Sequence, residues 1–501
     1  MREDQTRRPW GVLIATTVAG GLLLTGCGGG ASDGSGKSDG STAVFPAPGY
    51  SPERNDNRES ADHLSTFALD VDTASYGYAR RVLSEGRLPE PSAVRPEEFV
   101  NSFPQDYERP RGNGFTVTVD GARTGDADWS LVRVGLATRA APAEGERPPA
   151  ALTFVVDVSG SMGEPGRLDL VRDSLGVLTE RLRDDDSIAL VTFSDEARRV
   201  LPMTRLGGHR ARVHDAIDEL ETDASTNLGA GVRTGYATAV EGLRPGATNR
   251  VVLLSDGLAN TGDTDADTIL ERIADARREH GITLFGVGVG SEYGDALMER
   301  LADRGDGHTT YVSSDGDARR VFSEQLPQNV ELTARDAKAQ VAFDPRNVRE
   351  FRLIGYDDRR VADEDFRDDR VDGGEVGPGH TVTALYAVRT RPGAGGHLAT
   401  ASVRWLDPGT REPHEESGQL ETGSLDDDLW HSSYGLQVAA TAAYFADDLR
   451  LNRTGRAPLP GRPGLRALAD RADALAERRQ DADVHGLAEA IRQASELGGS
   501  E

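Results

Sequence analysis

Residues 152–161, LTFVVDVSGS, join a run of apolar side chains to a cluster of hydroxyl and carboxylate groups. A continuous apolar run of this length is typical of a strand that is buried on both faces, as in parallel sheets. Asp157, Ser159 and Ser161 stand where that strand is expected to end. The stretch therefore predicts a buried strand that delivers oxygen atoms to one edge of a sheet.

The region around this stretch, residues 150–328, alternates between strand-like and helix-like patterns. Further strands are expected at 188–193, 251–254 and 282–289, with a short edge strand at 199–203. Repeated alternation predicts an α/β fold with a mainly parallel sheet covered by helices on both faces. Right-handed crossovers then make the sheet doubly wound and Rossmann-like.

In doubly wound sheets, ligands bind beyond the carboxyl ends of the strands. Five polar residues follow predicted strands or precede a predicted helix at that edge: Asp157, Ser159, Ser161, Thr226 and Asp256. All five carry oxygen, and oxygen-only sites select hard cations such as Mg²⁺, Mn²⁺ or Ca²⁺. The structural alternative is that they are turn and capping residues, positions where Asp and Ser are common.

Together, the D-x-S-x-S pattern, the Ser-Thr-Asn loop and the later Ser-Asp-Gly resemble the metal-ion-dependent adhesion site of von Willebrand factor type A domains. The resemblance implies that the hydroxyls of Ser159 and Ser161 bind the metal directly, joined by Thr226 in the ligand-ready state. It implies that Asp157 and Asp256 act mostly through water. An acidic side chain from a partner protein would complete the octahedron, and no catalysis is expected.

The N-terminus reads as a lipoprotein signal peptide, residues 1–26. A basic start precedes an apolar stretch at 10–24 that is too short to span a membrane, which takes about 20 residues. Leu24 to Cys27 resemble the bacterial lipobox, in which the cysteine is lipidated. Cys27 is the sole cysteine, so internal disulfides are ruled out. The expected location is the extracytoplasmic face of the cell membrane, with residues 27–62 as a flexible, Gly- and Ser-rich tether.

The regions that flank the α/β unit, residues 63–149 and 329–422, show β-like alternation. We expect their strands to pair in a sandwich-like domain into which the α/β unit is inserted. Parts of both regions resemble segments of bacterial surface lipoproteins that carry a type A domain. Residues 423–501 are predicted to be helical, with helices at about 424–450, 464–478 and 482–496.

The formal net charge of −26 argues against nucleic acid as a partner, because phosphate binding needs clustered Lys and Arg. Two alternatives to a metal-dependent binding protein stay open. The residues from Asp70 to Thr73 resemble the first motif of haloacid-dehalogenase-type phosphatases, in which an aspartate is the nucleophile. In that reading Asp70 and Asp72 would work with Lys338 and the Asp357–Asp358 pair. The other alternative is a structural envelope protein that a metal only stabilises.

Overall fold

The computed structural model describes residues 63–498 with internal gaps. Cys27, the expected signal peptide and tether, and Asp70 lie outside the described residues. The gaps are 70–71, 104, 127, 141–146, 224, 257–275, 277–278, 291–297, 299–300, 302–307, 313, 323–325, 327–331, 372 and 455–456.

A six-stranded sheet forms the centre of the α/β unit, in the order β6-β5-β4-β7-β8-β9. The strands are β4 (Ala150–Asp157), β5 (Ser187–Phe193), β6 (Ala197–Arg205), β7 (Thr248–Ser255), β8 (Thr283–Val289) and β9 (His308–Val312). All neighbours run parallel except β6, which pairs with β5 in the antiparallel sense. The prediction of a mainly parallel α/β sheet is confirmed.

Helices cover both faces of this sheet. They are α3 (Leu168–Arg181), α4 (Arg210–Asp218), α5 (Leu228–Glu241) and α6 (Asp315–Arg320). The apolar side of α3 packs on one face, through Leu175 and Leu178. On the other face α5 lies so close that a Cβ added to Gly235 would stand 2.3 Å from Val155 Cγ2. Small residues on α5 therefore set its distance from the sheet.

Two antiparallel sheets form the sandwich that the sequence predicts. One sheet has the order β1-β10-β14-β15 with β12 beside β10, and the other has the order β11-β13-β3-β2. The strands are β1 (Leu64–Ala68), β2 (Phe115–Arg123), β3 (Trp129–Thr138), β10 (Ala334–Phe343), β11 (Val348–Ile354), β12 (Gly374–Val376), β13 (Thr381–Thr390), β14 (His397–Leu406) and β15 (Pro413–Glu421). Because β1 pairs with β10 and β3 with β13, strands from both sides of the α/β unit share these sheets.

An apolar core fills the sandwich, where for example the rings of Phe343 and Phe351 stack at 4.3 Å. The outer face of the β11-β13-β3-β2 sheet is covered by helices, through residues such as Leu131 and Leu385. Five helices share that apolar cluster: α1 (Ala74–Ser84), α2 (Pro96–Asn101), α7 (Tyr434–Thr454), α8 (Leu465–Arg479) and α9 (Ala482–Gly498). Of the helices that the structure describes, none combines the length and the apolar character needed to cross a bilayer.

The start of the first C-terminal helix was predicted at about residue 424, and this is wrong, because α7 begins at Tyr434. Residues Thr422–Ser424 and Leu429–His431 form short 3₁₀ turns instead. The carboxylate of Asp428 accepts a hydrogen bond from the Trp430 amide (2.9 Å). Aspartate side chains that bind nearby backbone in this way compete with helix formation.

The sandwich meets the α/β unit at the amino ends of the parallel strands. Arg250, near the start of β7, is fully buried and lies 3.6 Å from Glu375 of β12. Its Nε also donates to the hydroxyl of Thr283, the first residue of β8 (2.9 Å). The carboxyl ends of the same strands, where the predicted site residues stand, are therefore at the opposite edge of the sheet.

Candidate metal centre

Asp157 is the last residue of β4, in the middle of the sheet, and its side chain is completely buried. One carboxylate oxygen accepts the Ser159 amide (2.9 Å) and the other accepts the hydroxyl of Ser255 (2.6 Å). Burial raises the pKa of Asp157 to about 6, and the nearby Asp256 carboxylate also raises it. A buried carboxylate of this kind is stabilised in its ionised form by a neighbouring cation.

The two serine side chains converge beside this carboxylate. The hydroxyl oxygens of Ser159 and Ser161 are 3.2 Å apart, although Ser159 is buried and Ser161 is exposed. Adjacent ligands of an octahedral ion with bonds of 2.0–2.1 Å are about 3 Å apart. The hydroxyl pair thus has the spacing of two ligands of one such ion, and it opens towards solvent at Ser161.

Thr226 is buried in the loop that precedes α5. Hydrogen bonds join this loop to the residues that follow β4 and β5. The Asp223 amide donates to the Val158 carbonyl and the Asn227 amide to the Ser194 carbonyl, both at 2.6 Å. The Asn227 side chain then caps α5 by accepting the Ala230 amide (3.0 Å). These bonds hold the Thr226 loop against the strand ends that carry Asp157 and Ser159.

Asp256 follows the last residue of β7 and is also buried. One of its oxygens accepts a hydrogen bond from Arg167 Nη1 (2.8 Å), and the same nitrogen donates to the Ser161 carbonyl (3.0 Å). Sequence reasoning missed Arg167. Its pairing with Asp256 joins residues 89 positions apart, which no local pattern reveals.

The donor set fits a hard divalent ion. It offers hydroxyl and carboxylate oxygens, which are the ligands that Mg²⁺ and Mn²⁺ take. In the part of the chain that the structure describes, no group of three or more His, Cys, Asp or Glu side chains could hold a metal. A metal at this edge would therefore depend on the hydroxyls of Ser159, Ser161 and Thr226 as well as on Asp157 and Asp256.

The motif that suggested a phosphatase has a different place. Asp72 is buried at the edge of the α/β sheet, where it accepts the amide of Thr309 on β9 (2.8 Å) and lies 3.3 Å from Arg359 Nη2. Lys338 instead donates to the backbone carbonyls of Asp368 (2.6 Å) and Val371 (2.9 Å). Asp72 therefore joins the N-terminal segment to β9, while Asp70, the other aspartate of the motif, lies outside the described residues.

Comparison with protein families agrees with the fold. Residues 151–325 match the von Willebrand factor type A domain, and residues 50–132 match a second model described as von Willebrand factor. Residues 329–396 match the C-terminal region of the uncharacterized protein YfbK. The chain belongs to the family of the uncharacterized protein YfbK of Escherichia coli (strain K12), to which it is 35% identical over 414 residues, 77% of this chain and 71% of that protein.

Two further relatives match over less of their length or at lower identity. The uncharacterized protein sll0103 of Synechocystis is 27% identical over 205 residues, 40% of this chain and 47% of that protein. A solved structure described as von Willebrand factor type A from Catenulispora acidiphila is 16% identical with a TM-score of 0.43, covering 79% of this chain and 90% of that one.

Proposed function

We propose that this chain is a lipid-anchored, extracytoplasmic binding protein that holds a partner protein through a divalent metal, without catalysis. The observation that carries the proposal is the pair of Ser159 and Ser161 hydroxyls, 3.2 Å apart beside the buried Asp157 carboxylate. The metal would be Mg²⁺, or Mn²⁺ or Ca²⁺ in its place, held by Asp157, Ser159, Ser161, Thr226 and Asp256.

A bound divalent ion would supply a Lewis-acidic position for a carboxylate of the partner. The chain's own part is to hold neutral hydroxyls close to that position, because they take away little of the ion's charge. Asp157 cannot turn freely towards the ion, since both of its oxygens already accept hydrogen bonds. Asp256 has one oxygen bound to Arg167. These contacts support a role for both carboxylates through bridging water.

The absence of catalysis is part of the proposal. Hydrolysis at such an ion would need a general base within hydrogen-bond reach of the attacking water. Asp223, a carboxylate outside the ligand set, is exposed and accepts the Ser194 hydroxyl (3.1 Å). That contact fixes a loop to a strand end, which is a structural use of the carboxylate.

The rim of the site bears on the chemistry of the partner. Exposed carboxylates lie on the loops around the hydroxyl pair: Glu164, Asp195, Glu196, Glu221 and Asp223. A uniformly acidic partner would be repelled by this rim. The fitting partner presents one carboxylate to the metal among basic side chains, and its association rate should fall as salt screens that attraction.

The anchor is proposed from the Leu-Thr-Gly-Cys sequence at 24–27. Mass spectrometry of the protein from its membrane fraction should find a diacyl or triacyl group on Cys27. A free thiol at that position refutes the anchor but leaves the metal site untouched.

Metal binding is tested first, by titrating the purified ectodomain with Mn²⁺ in a calorimeter. Asp157→Ala should abolish binding. Asp173→Ala, which removes an exposed carboxylate from α3, is the matched control and should bind as the original chain does. Equal binding by both variants contradicts the site.

Partner binding is tested next, by capture on the immobilised ectodomain with Mg²⁺ or with chelator. Loss of capture with chelator and in Asp157→Ala is expected, while Asp173→Ala retains it. Capture that survives both treatments refutes a metal-bridged contact. A metal that raises the melting temperature without supporting capture would favour the structural envelope protein.

A further inference from the structure

A buried guanidinium lies next to the proposed metal position. Arg167 precedes α3 and only 4% of its surface is exposed. Its Nη1 donates to Asp256 (2.8 Å) and to the Ser161 carbonyl (3.0 Å), while Nη2 donates to Glu164 (2.7 Å). Two of these partners, Ser161 and Asp256, are predicted ligands, so Arg167 contacts two residues of the ligand set.

The fold makes room for this side chain at the end of β8. Gly290 has a φ of +87°, and a Cβ added there would stand 2.8 Å from Arg167 Nε. The hydroxyl of Tyr311, on the neighbouring strand β9, donates to the Gly290 carbonyl and holds this turn. A glycine in the left-handed region is thus needed both for the turn and for the close approach of Arg167.

The contact with Arg167 restricts what Asp256 can do. A charge-assisted hydrogen bond of 2.8 Å fixes one of its oxygens. Direct coordination through that oxygen would bring a divalent cation beside the guanidinium, where the two positive charges repel each other. A movement of the Asp256 carboxylate towards the ion would lengthen and weaken its bond to Arg167, so this contact favours a position in which Asp256 acts through water.

The charges around the site determine how much positive charge a bound ion would keep. Asp157 and Asp256 each bring one negative charge, and Arg167 cancels one of them. Glu164 is 66% exposed, so solvent screens its charge. A divalent ion would therefore keep a net positive charge at this site, whereas without Arg167 the two aspartates would neutralise it.

We propose that Arg167 is a positioning residue that holds Asp256 away from the metal and preserves the metal's attraction for an external carboxylate. This inference rests on the proposed metal site. It predicts opposite effects of removing the guanidinium: tighter binding of the metal itself and weaker binding of a carboxylate to the loaded site.

The test uses the ectodomain with Mn²⁺ as the metal and acetate as the carboxylate probe. Arg167→Gln should bind Mn²⁺ about tenfold more tightly and the loaded site should bind acetate about tenfold more weakly, the order of effect of one partly buried charge. Electron spin resonance of bound Mn²⁺ in ¹⁷O-water should show fewer water ligands, because Asp256 replaces one. Arg167→Lys should restore both affinities, and Asp173→Asn, which removes an exposed charge from α3, should leave both within about twofold.

The outcomes separate the two proposals. Failure of the original chain to bind Mn²⁺ refutes the proposed function. Binding by the original chain, with Arg167→Gln unchanged or weaker for Mn²⁺, refutes the role of Arg167 alone. If Arg167→Gln does not fold, as seen by circular dichroism, Arg167→Lys decides: a change of tenfold or more in Mn²⁺ or acetate affinity overturns the inference, because the charge is still present.

Discussion

The substitution Asp72→Ala tests the role that the structure gives to the N-terminal motif. It removes a carboxylate that binds the amide of Thr309 on β9 (2.8 Å) and lies 3.3 Å from Arg359 Nη2. The side chain is also 3.8 Å from the ring nitrogen Nδ1 of His308. Asp72 and His308 are buried and Arg359 is mostly buried, so water cannot fully replace the lost carboxylate.

The expected loss follows from these contacts. Hydrogen bonds to a charged group contribute about 1.5–3 kcal/mol, and removal of one member of a buried ion pair costs about 3–5 kcal/mol. The Arg359 side chain retains 14% exposure, which places the expected loss near the lower limit, at about 3 kcal/mol. Asp72→Asn keeps an acceptor for the Thr309 amide but loses the charge, and should cost about 1.5 kcal/mol.

The assay is urea unfolding followed by circular dichroism, with amide hydrogen exchange of β9 as a local measurement. Asp369→Ala is the matched control, because Asp369 pairs with Arg404 but is 41% exposed, and it should cost at most about 0.5 kcal/mol. Equal stability of Asp72→Ala and the control would refute the reasoning. An aryl-phosphatase activity lost in Asp70→Asn would restore the enzyme alternative.

Three other predictions concern acid, metal and packing. Burial, aided by Arg250 and Arg109, lowers the pKa of His380 to about 4, so only the unfolded chain takes up this proton between pH 6.5 and 4. The contribution of His380 to stability should then fall by at most about 2 kcal/mol from pH 7 to 5, and His380→Gln should make the pH dependence of unfolding less steep by that amount. The pKa of Asp157 is about 6, so Mn²⁺ affinity should fall about tenfold per pH unit below that value, and a flat calorimetric profile would contradict this. Gly235→Ala should cost about 1–3 kcal/mol in thermal unfolding, because the new Cβ meets Val155 at 2.3 Å, whereas an unchanged melting temperature would show that α5 can move.

The sequence predicts the central sheet well because the signals there are local. The apolar run of β4 is buried on both faces, as expected, and strand ends place Asp157, Ser159 and Asp256 at one edge of the sheet. The insertion in the sandwich also follows from period-two alternation on both sides of the α/β unit. The helix start at Tyr434 does not, because Asp428 caps a short 3₁₀ turn at Leu429–His431, which helical periodicity does not predict.

The remaining features depend on contacts between distant residues. Arg167 precedes a helix, a position where arginine is common. Only its close approach to Gly290 and its pairing with Asp256 indicate a role. Asp72 resembled a catalytic motif because two aspartates follow apolar residues in both cases. Its bond to the Thr309 amide spans 237 positions, and no short pattern carries that information.

Buried charged residues lie at both ends of the parallel strands. At the amino ends of the strands, Arg250 lies in the junction with the sandwich, and at the carboxyl ends Asp256 lies in the proposed metal site. Arg250 lies in β7 and Asp256 directly follows it, so six residue steps of extended chain separate them by roughly 20 Å. Groups that far apart without shared partners act nearly independently. A substitution at the junction should therefore leave the proposed metal site nearly unchanged, and a substitution at that site should leave the junction nearly unchanged.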